Sequence, residues 1–288
     1  MTLYVQAILN GILVGGVYGL VAIGLSLIFG VMKIINFAHG EMLVLAMYLS
    51  FFLFTLLGID PYMSLFVCAV AAFILGYGVQ RFLVNRILHV PEEMQVLLML
   101  GVALVLQNAT LVAWGPNFRA AQTRYSLSTV WLGPLVMDVP RLVAFVLALA
   151  LALLLYLFLR RTELGTTIRA AADNRDGAVL IGLDVRRIYA FSFGLGAACV
   201  GAAGSIILPF LPMSPYSALS FTLTSFIVVI LGGMGSFLGV LVGGLFVGVA
   251  ENLGAVVLTS SSKYIFSYAL LILVMVLRPQ GIFRGRSG

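Results

Sequence analysis

Six stretches of this chain carry no charged side chain: residues 1–32, 42–59, 61–80, 94–118, 142–159 and 188–250. A helix needs roughly 20 consecutive apolar residues to cross a bilayer, so each run is long enough for one span and the last for several. Of the 288 residues, 62% are hydrophobic and 9% charged, against roughly 45–50% apolar in soluble domains. Barrel strands would be shorter and would alternate in polarity, whereas helices satisfy their own backbone in lipid. The class is therefore expected to be all-α, a polytopic membrane helix bundle of about nine transmembrane helices. The spans fall near 5–31, 41–58, 62–80, 94–114, 141–159, 189–211, 219–233, 236–258 and 264–278.

Charge sets the orientation. Ten of the 26 charged side chains lie between Arg160 and Arg187, and six of these are arginines. Loops rich in Lys and Arg stay in the cytoplasm. With this loop inside, counting outward places Lys33, Arg81, Arg86, Arg278, Arg284 and Arg286 inside too, twelve of the sixteen basic residues. Arg119, Arg124, Arg141 and Lys263 remain outside. The N-terminus is then external and the C-terminus cytoplasmic, and residues 1–288 read as one transmembrane domain with a polar cytoplasmic loop at 160–188. The formal charge of +6 resides at helix ends and gives no reason to expect nucleic acid. The first eleven residues lack the basic start of a cleavable signal peptide, so the first span is expected to be retained.

Chemistry-bearing motifs are missing. A P-loop requires a lysine after a glycine so that amides and ammonium together hold phosphate, and neither Lys33 nor Lys263 follows one. No HExxH or GxSxG string occurs. Cys68 and Cys199 sit inside apolar runs, where a disulfide is not expected. His39 and His89 are too few for a metal cluster. No enzymatic activity, metal or cofactor is expected.

Polar residues within spans are costly and mark function. Asn36, His39 and Glu41 form NFAHGE, which reads either as an interfacial hairpin with its charges among headgroups or as a gate near the cytoplasmic mouth. Glu251 and Asn252 lie ~15 residues along a span, or ~22 Å at 1.5 Å per residue; Glu251 is either a snorkelling acid or a pathway acid. Gln107 and Asn108 are expected to bond across helices. Pro209, Pro212 and Pro215 mark an external connection or a broken helix, and residues 115–140 an external loop. Gly11, Gly15 and Gly19 repeat a spacing that lets helices approach closely. Within the cytoplasmic loop, Thr166 or Thr167 can cap a short amphipathic helix with Ile168, Ala171, Ala172 and Arg175 at helical spacing and a stop at Gly177. Such a helix suits a soluble partner.

Taken together, GGVYGLVAIGLSLIFGVMKIINFAHGEM (Gly15 to Met42), LGTTIRAAADNRDGAVLIGLDV in the central loop, AFSFGLGAACVGAAG (Ala190 to Gly204) and VVILGGMGSFLGVLVGGLFVG (Val228 to Gly248) resemble the permease subunits of branched-chain amino acid ABC importers. The strings occur in the same order and cover nearly the whole chain. The resemblance implies a multi-pass protein of the bacterial plasma membrane. It also implies a second related permease, two cytoplasmic ATPase subunits and an external substrate-binding protein as partners. By the same resemblance, the stretch Thr166 to Leu183 is the coupling helix, with Thr166, Ile168, Arg169, Ala171, Asn174, Arg175 and Gly182 as ATPase-coupling residues. Asn36, His39, Glu41, Glu251 and Asn252 are the pathway or gate candidates. Permeases for urea and short amides share much of the pattern and remain an alternative. So does a self-sufficient secondary transporter, although Glu251 is the only acid deep within a span.

Overall fold

The computed structural model describes residues 2–258 and 264–278. Its order is α1 (Thr2–Met32), α2 (His39–Leu57), α3 (Pro61–Phe82), α4 (Glu92–Trp114), β1 (Thr129–Leu132), β2 (Leu135–Asp138), α5 (Val139–Arg161), α6 (Glu163–Asp173), α7 (Arg175–Leu180), α8 (Val185–Ile207), α9 (Ala218–Gly232), α10 (Phe237–Val257) and α11 (Tyr264–Leu277). Eight segments are long and apolar enough to cross a membrane, and α11 is a shorter apolar helix. The all-α expectation therefore stands, with one local departure. Residues 129–138 pair as an antiparallel hairpin, Thr129 opposite Asp138 and Leu132 opposite Leu135. Gly133 supplies the positive φ (62°) that its two-residue turn requires. Strands of four residues are too short to leave a periodicity in the sequence. Lys263, Arg284 and Arg286 lie outside the described residues.

The helices sort into a centre and a periphery. In their apolar windows α1 and α8 are 72% and 83% buried, while α4 and α5 are 17% and 22% buried. Leu97, Leu104, Val105 and Val112 of α4 face outward, as a lipid-contacting surface must. At the centre α1 lies against α10 at backbone distance. A Cβ on Gly11 would sit 2.5 Å from the Val249 Cα, and one on Gly15 2.7 Å from the Gly244 carbonyl. The repeated glycine spacing thus serves an intrachain crossing.

One end of the bundle, here the basic end, carries Arg81, Arg86, α6, α7 and the start of α8. The other, the hairpin end, carries the Asp60 turn, residues 115–138 and the start of α5. The segment 115–128 is packed rather than loose. The Arg119 backbone bonds both ways with Met213 (2.9 and 2.8 Å), and its guanidinium donates to the Trp114 carbonyl and lies over Phe51 and Phe52. Tyr125 donates to Asp60 at 2.8 Å and stacks on Tyr62. The prolines fall in the connection between two helices: α8 ends at Ile207, Pro215 opens a 3₁₀ turn, and α9 follows. Asn108 departs from expectation, since its Nδ2 donates to the Leu104 carbonyl of its own helix.

Candidate functional site

The NFAHGE segment is neither a headgroup hairpin nor at the mouth of the bundle. α1 ends at Met32, where Lys33 adopts φ 59° and donates its N–H to Phe29 at 2.8 Å. Residues 33–36 then run without regular structure, and the His39 Nε2 lies 2.9 Å from the Val21 carbonyl. Val21 is eleven residues before Met32, so the chain has climbed back ~16 Å along α1, within the ~20 Å reach of six extended residues. Such irregular backbone at membrane depth persists only where protein or a polar cavity surrounds it. Here Asn36 and His39 are fully buried and Glu41 is 6% exposed.

What holds this re-entrant corner is polar and local. The Asn36 Oδ1 accepts the Ala38 N–H at 3.0 Å, closing a side-chain turn before α2. The Gly40 N–H donates to the Thr222 Oγ1 at 3.0 Å, and the Thr222 hydroxyl donates to the Ala218 carbonyl at 3.1 Å. A side chain on Gly40 would run into Ala218 and Thr222. The first turns of α2 and α9 therefore meet in the bundle interior. The Asn36 Nδ2, His39 Nδ1 and Glu41 Oε2 are buried without a hydrogen-bond partner among the described residues. Three such atoms on one corner set it apart from ordinary packing, in which buried polar groups are nearly always paired.

The second site lies nearer the hairpin end. Glu251 is 2% exposed, which rules out snorkelling; Tyr18 of α1 donates its hydroxyl to the Glu251 Oε2 at 3.0 Å. Asn252 is half-buried and donates to the Gly248 carbonyl at 2.9 Å. Tyr18, Arg141, Glu251 and Asn252 border a cavity of ≈ 120 Å³ whose other walls are apolar. Arg141 pairs with Asp138 at 3.1 Å. Sequence reasoning counted Arg141 only as a topological charge and missed Tyr18 altogether; their one prior signal was polarity beside an apolar run.

At the basic end the charged loop is two helices. α6 is capped by Thr162, whose hydroxyl accepts the Gly165 N–H at 3.0 Å, so it begins before Thr166 and Thr167, the caps expected. Glu163 then stands in the first turn, where the helix dipole favours an acid. Gly177 does not stop this helix; it lies in α7, with its N–H bonded to the Asn174 Oδ1 at 2.8 Å. Asn174 is thus the N-cap of α7, and Gly182 makes the following turn at φ 84°. Thr166, Arg169 and Arg175 are exposed, whereas Ile168 and Ala171 are buried against the bundle, at 3% and 1% exposure. The apolar side chains presented outward are Leu164, Val179, Leu180 and Ile181. A further cavity of ≈ 300 Å³ separates α7 and the start of α8 from residues 85–89, with Asn85, His89, Arg175 and Tyr189 on its wall.

The family model described as Branched-chain amino acid transport system / permease component matches residues 7–275. The chain belongs to the branched-chain amino acid permease family. It is therefore a transport component and a multi-pass protein of the inner membrane. Among members of this permease family, the high-affinity branched-chain amino acid transport system permease protein BraD of Pseudomonas aeruginosa is 31% identical, over 97% of this chain and 95% of that protein. The corresponding protein LivH of Escherichia coli is 30% identical over the same shares. A probable permease LivH of Methanocaldococcus jannaschii is 28% identical over 91% and 87%. The solved structure of PsaBC from Streptococcus pneumoniae in complex with Fab has a similar fold, with a TM-score of 0.50 at 12% identity over 94% of this chain and 92% of that one.

Proposed function

We propose that this permease is the membrane-spanning subunit of an ATP-driven importer for branched-chain or other aliphatic amino acids. Its basic end faces the cytoplasm, where α6 and α7 dock ATPase subunits. The observation that carries the docking role is the exposure of Leu180 and Ile181, 88% and 73%, on a rigidly capped loop bordered by Arg169 and Arg175. Fully burying such a side chain stabilises by about 1.5–3 kcal/mol, so two of them in a partner's groove, with charge pairs at the rim, make a firm joint. The substrate class rests on what the relatives are named for, together with a bundle whose inner surfaces are mostly apolar.

A second related permease and an external substrate-binding protein complete the assembly. Asn36, His39 and Glu41 at the re-entrant corner, with Glu251 and Asn252 above them, form the polar elements of the pathway. Uptake of radiolabelled leucine, valine and urea by the reconstituted complex tests this reading. Leucine and valine are expected to enter in an ATP-dependent manner; uptake of urea without leucine would overturn the amino-acid assignment, and purification of the chain as a lone homo-oligomer would overturn the ATPase coupling.

A further inference from the structure

We infer that the cavity between the α3–α4 turn and the α7–α8 corner is a headgroup site for an anionic phospholipid. Its phosphate is held by Arg175 and Arg186 together with the polar groups of Asn85, His89 and Tyr189, and its acyl chains run along the outward faces of α3 and α4. The inference goes beyond the transport reading and holds whatever substrate the permease carries.

The cavity has the chemistry of a phosphate site. Arg175 and Arg186 stand on its wall and make no salt bridge among the described residues, and a guanidinium fork matches phosphate oxygens two at a time. Asp184, the one acid on the wall, is engaged elsewhere: its Oδ2 pairs with the Arg187 Nε at 2.8 Å and its Oδ1 accepts the Arg187 N–H at 3.2 Å. Asn85 has its Oδ1 bonded by Gln80 at 3.4 Å, which leaves the amide nitrogen as its donor. His89 adds a ring N–H and Tyr189, 5% exposed, a hydroxyl. Five donor side chains around one space of ≈ 300 Å³, at the lower end of the ~300–1,000 Å³ of small-ligand pockets, suit an ionised group with several acceptor oxygens.

Its place in the fold selects a lipid over a soluble phosphate. Asn85, Leu88 and His89 belong to the turn joining α3 and α4, whose apolar windows are 28% and 17% buried, so the turn stands at the lipid-facing edge of the bundle. Phe82 and Leu83 before it, and Met94 and Leu97 after it, are exposed, so apolar surface for acyl chains begins within a few residues of the donors. Leu88, Val179 and Leu183 on the wall offer contact to a glycerol backbone and the first methylenes, which a free phosphate lacks. Basic pockets between spans at a membrane surface are a general mode of headgroup binding. The side chains proposed to dock ATPase lie apart from it: Leu180 and Ile181 are not on the wall, whereas Arg175 and Val179, four residues apart on one face of α7, are.

The test uses the permease complex with its partner permease and ATPases, washed free of native lipid in detergent and titrated with dioleoyl phosphatidylglycerol or dioleoyl phosphatidylcholine; native mass spectrometry counts the bound lipid and reports assembly in the same spectrum. Wild type is expected to bind its first phosphatidylglycerol about fivefold or more tightly than phosphatidylcholine. Arg186→Gln with His89→Gln should remove that preference, a loss of about fivefold for the arginine alone at roughly 1 kcal/mol per basic side chain. Both positions are exposed, so the variant should assemble normally. Arg186→Lys, which keeps the charge, should keep most of the preference. Arg160→Gln with Arg161→Gln, which removes two charges from the same end outside the cavity, should leave it intact. Equal binding of the two lipids, or equal losses in the cavity variant and the Arg160/Arg161 variant, would overturn the site. Displacement of phosphatidylglycerol by inorganic phosphate would make the ligand a soluble anion, and a preference that emerges only once the ATPases are stripped away would give the cavity to an acidic surface of that partner; either result overturns the lipid assignment.

Discussion

The imidazole of His39 lies 2.9 Å from the carbonyl of Val21, and this contact fixes where α2 starts. It ties the end of an irregular segment to the middle of a long helix. His39→Ala should therefore loosen the corner by about 1–3 kcal/mol, the cost of breaking a buried hydrogen-bonded group, seen as a lower melting temperature of detergent-solubilised protein. His39→Gln, which restores a polar donor near the same place, should recover part of the loss. Equal melting of wild type and His39→Ala would mean that the contact contributes nothing.

Gly40 faces the Ala218 carbonyl and the Thr222 hydroxyl with no space for a methyl group. Gly40→Ala is expected to separate α2 from α9 and to cost a few kcal/mol, as overpacking of a close crossing does. Gly78→Ala, where nothing lies within 4 Å, serves as the control and should behave as wild type. Monodispersity on size-exclusion chromatography distinguishes the two variants.

In the loop between Arg160 and Arg187, proposed above to dock ATPase subunits, the structure divides the residues into two classes with opposite expected outcomes. Ile168→Asp puts a charge where the side chain is 3% exposed and should lower membrane levels of the protein, since a buried unpaired charge is severely destabilising. Leu180→Asp with Ile181→Asp, or Arg169→Glu with Arg175→Glu, alters exposed positions that cost under about 0.5 kcal/mol of stability. These variants should reach normal levels, recover little ATPase on affinity purification, and lose uptake. Normal ATPase recovery with both pairs replaced would reduce the loop to a connector.

Orientation is tested at the same place. A single cysteine at position 181 should react with a membrane-impermeant maleimide only after the cells are opened, and one at position 127, where Leu127 is exposed, should react in intact cells. The reverse labelling would invert the topology.

At the hairpin end, burial first and then the bond to Asp60 hold the Tyr125 hydroxyl above its ordinary range. The raised folded-state value means that its contribution is complete below about pH 10, the unfolded value, and is lost as pH rises further. Melting of the wild type should fall off above about pH 10, and Tyr125→Phe should melt lower at neutral pH, with a flatter alkaline limb.

How much of this was readable in advance follows from range. The helices were legible because uninterrupted apolar runs of bilayer length have few alternative folds, and the glycine spacing of α1 announced a close crossing without naming α10 as its partner. The re-entrant corner was not legible. Depth is set by contacts such as Gly40 with Thr222 and Tyr18 with Glu251, between residues 182 and 233 apart, and no local pattern encodes them. Thr162 was passed over as a cap because the residues after it, Glu163 to Gly165, carry no apolar periodicity. Ile168 and Ala171 were expected among the ATPase-coupling residues on an amphipathic helix; that their face of α6 turns toward its own bundle depends on the packing of α6 against α1, α5 and α8.

The bond between Gly40 and Thr222 also imposes an order on synthesis. At about 5–20 residues per second, the 182 residues separating them take on the order of 10–40 s to emerge. For that interval the segment from Lys33 to Ala38 has left α1 without the wall that later encloses it. The nascent chain must therefore shelter this corner in the translocation machinery or at the lipid surface. It can close only when α9 arrives, so the deepest part of the bundle is completed late, well after the helices on either side of it have entered the membrane.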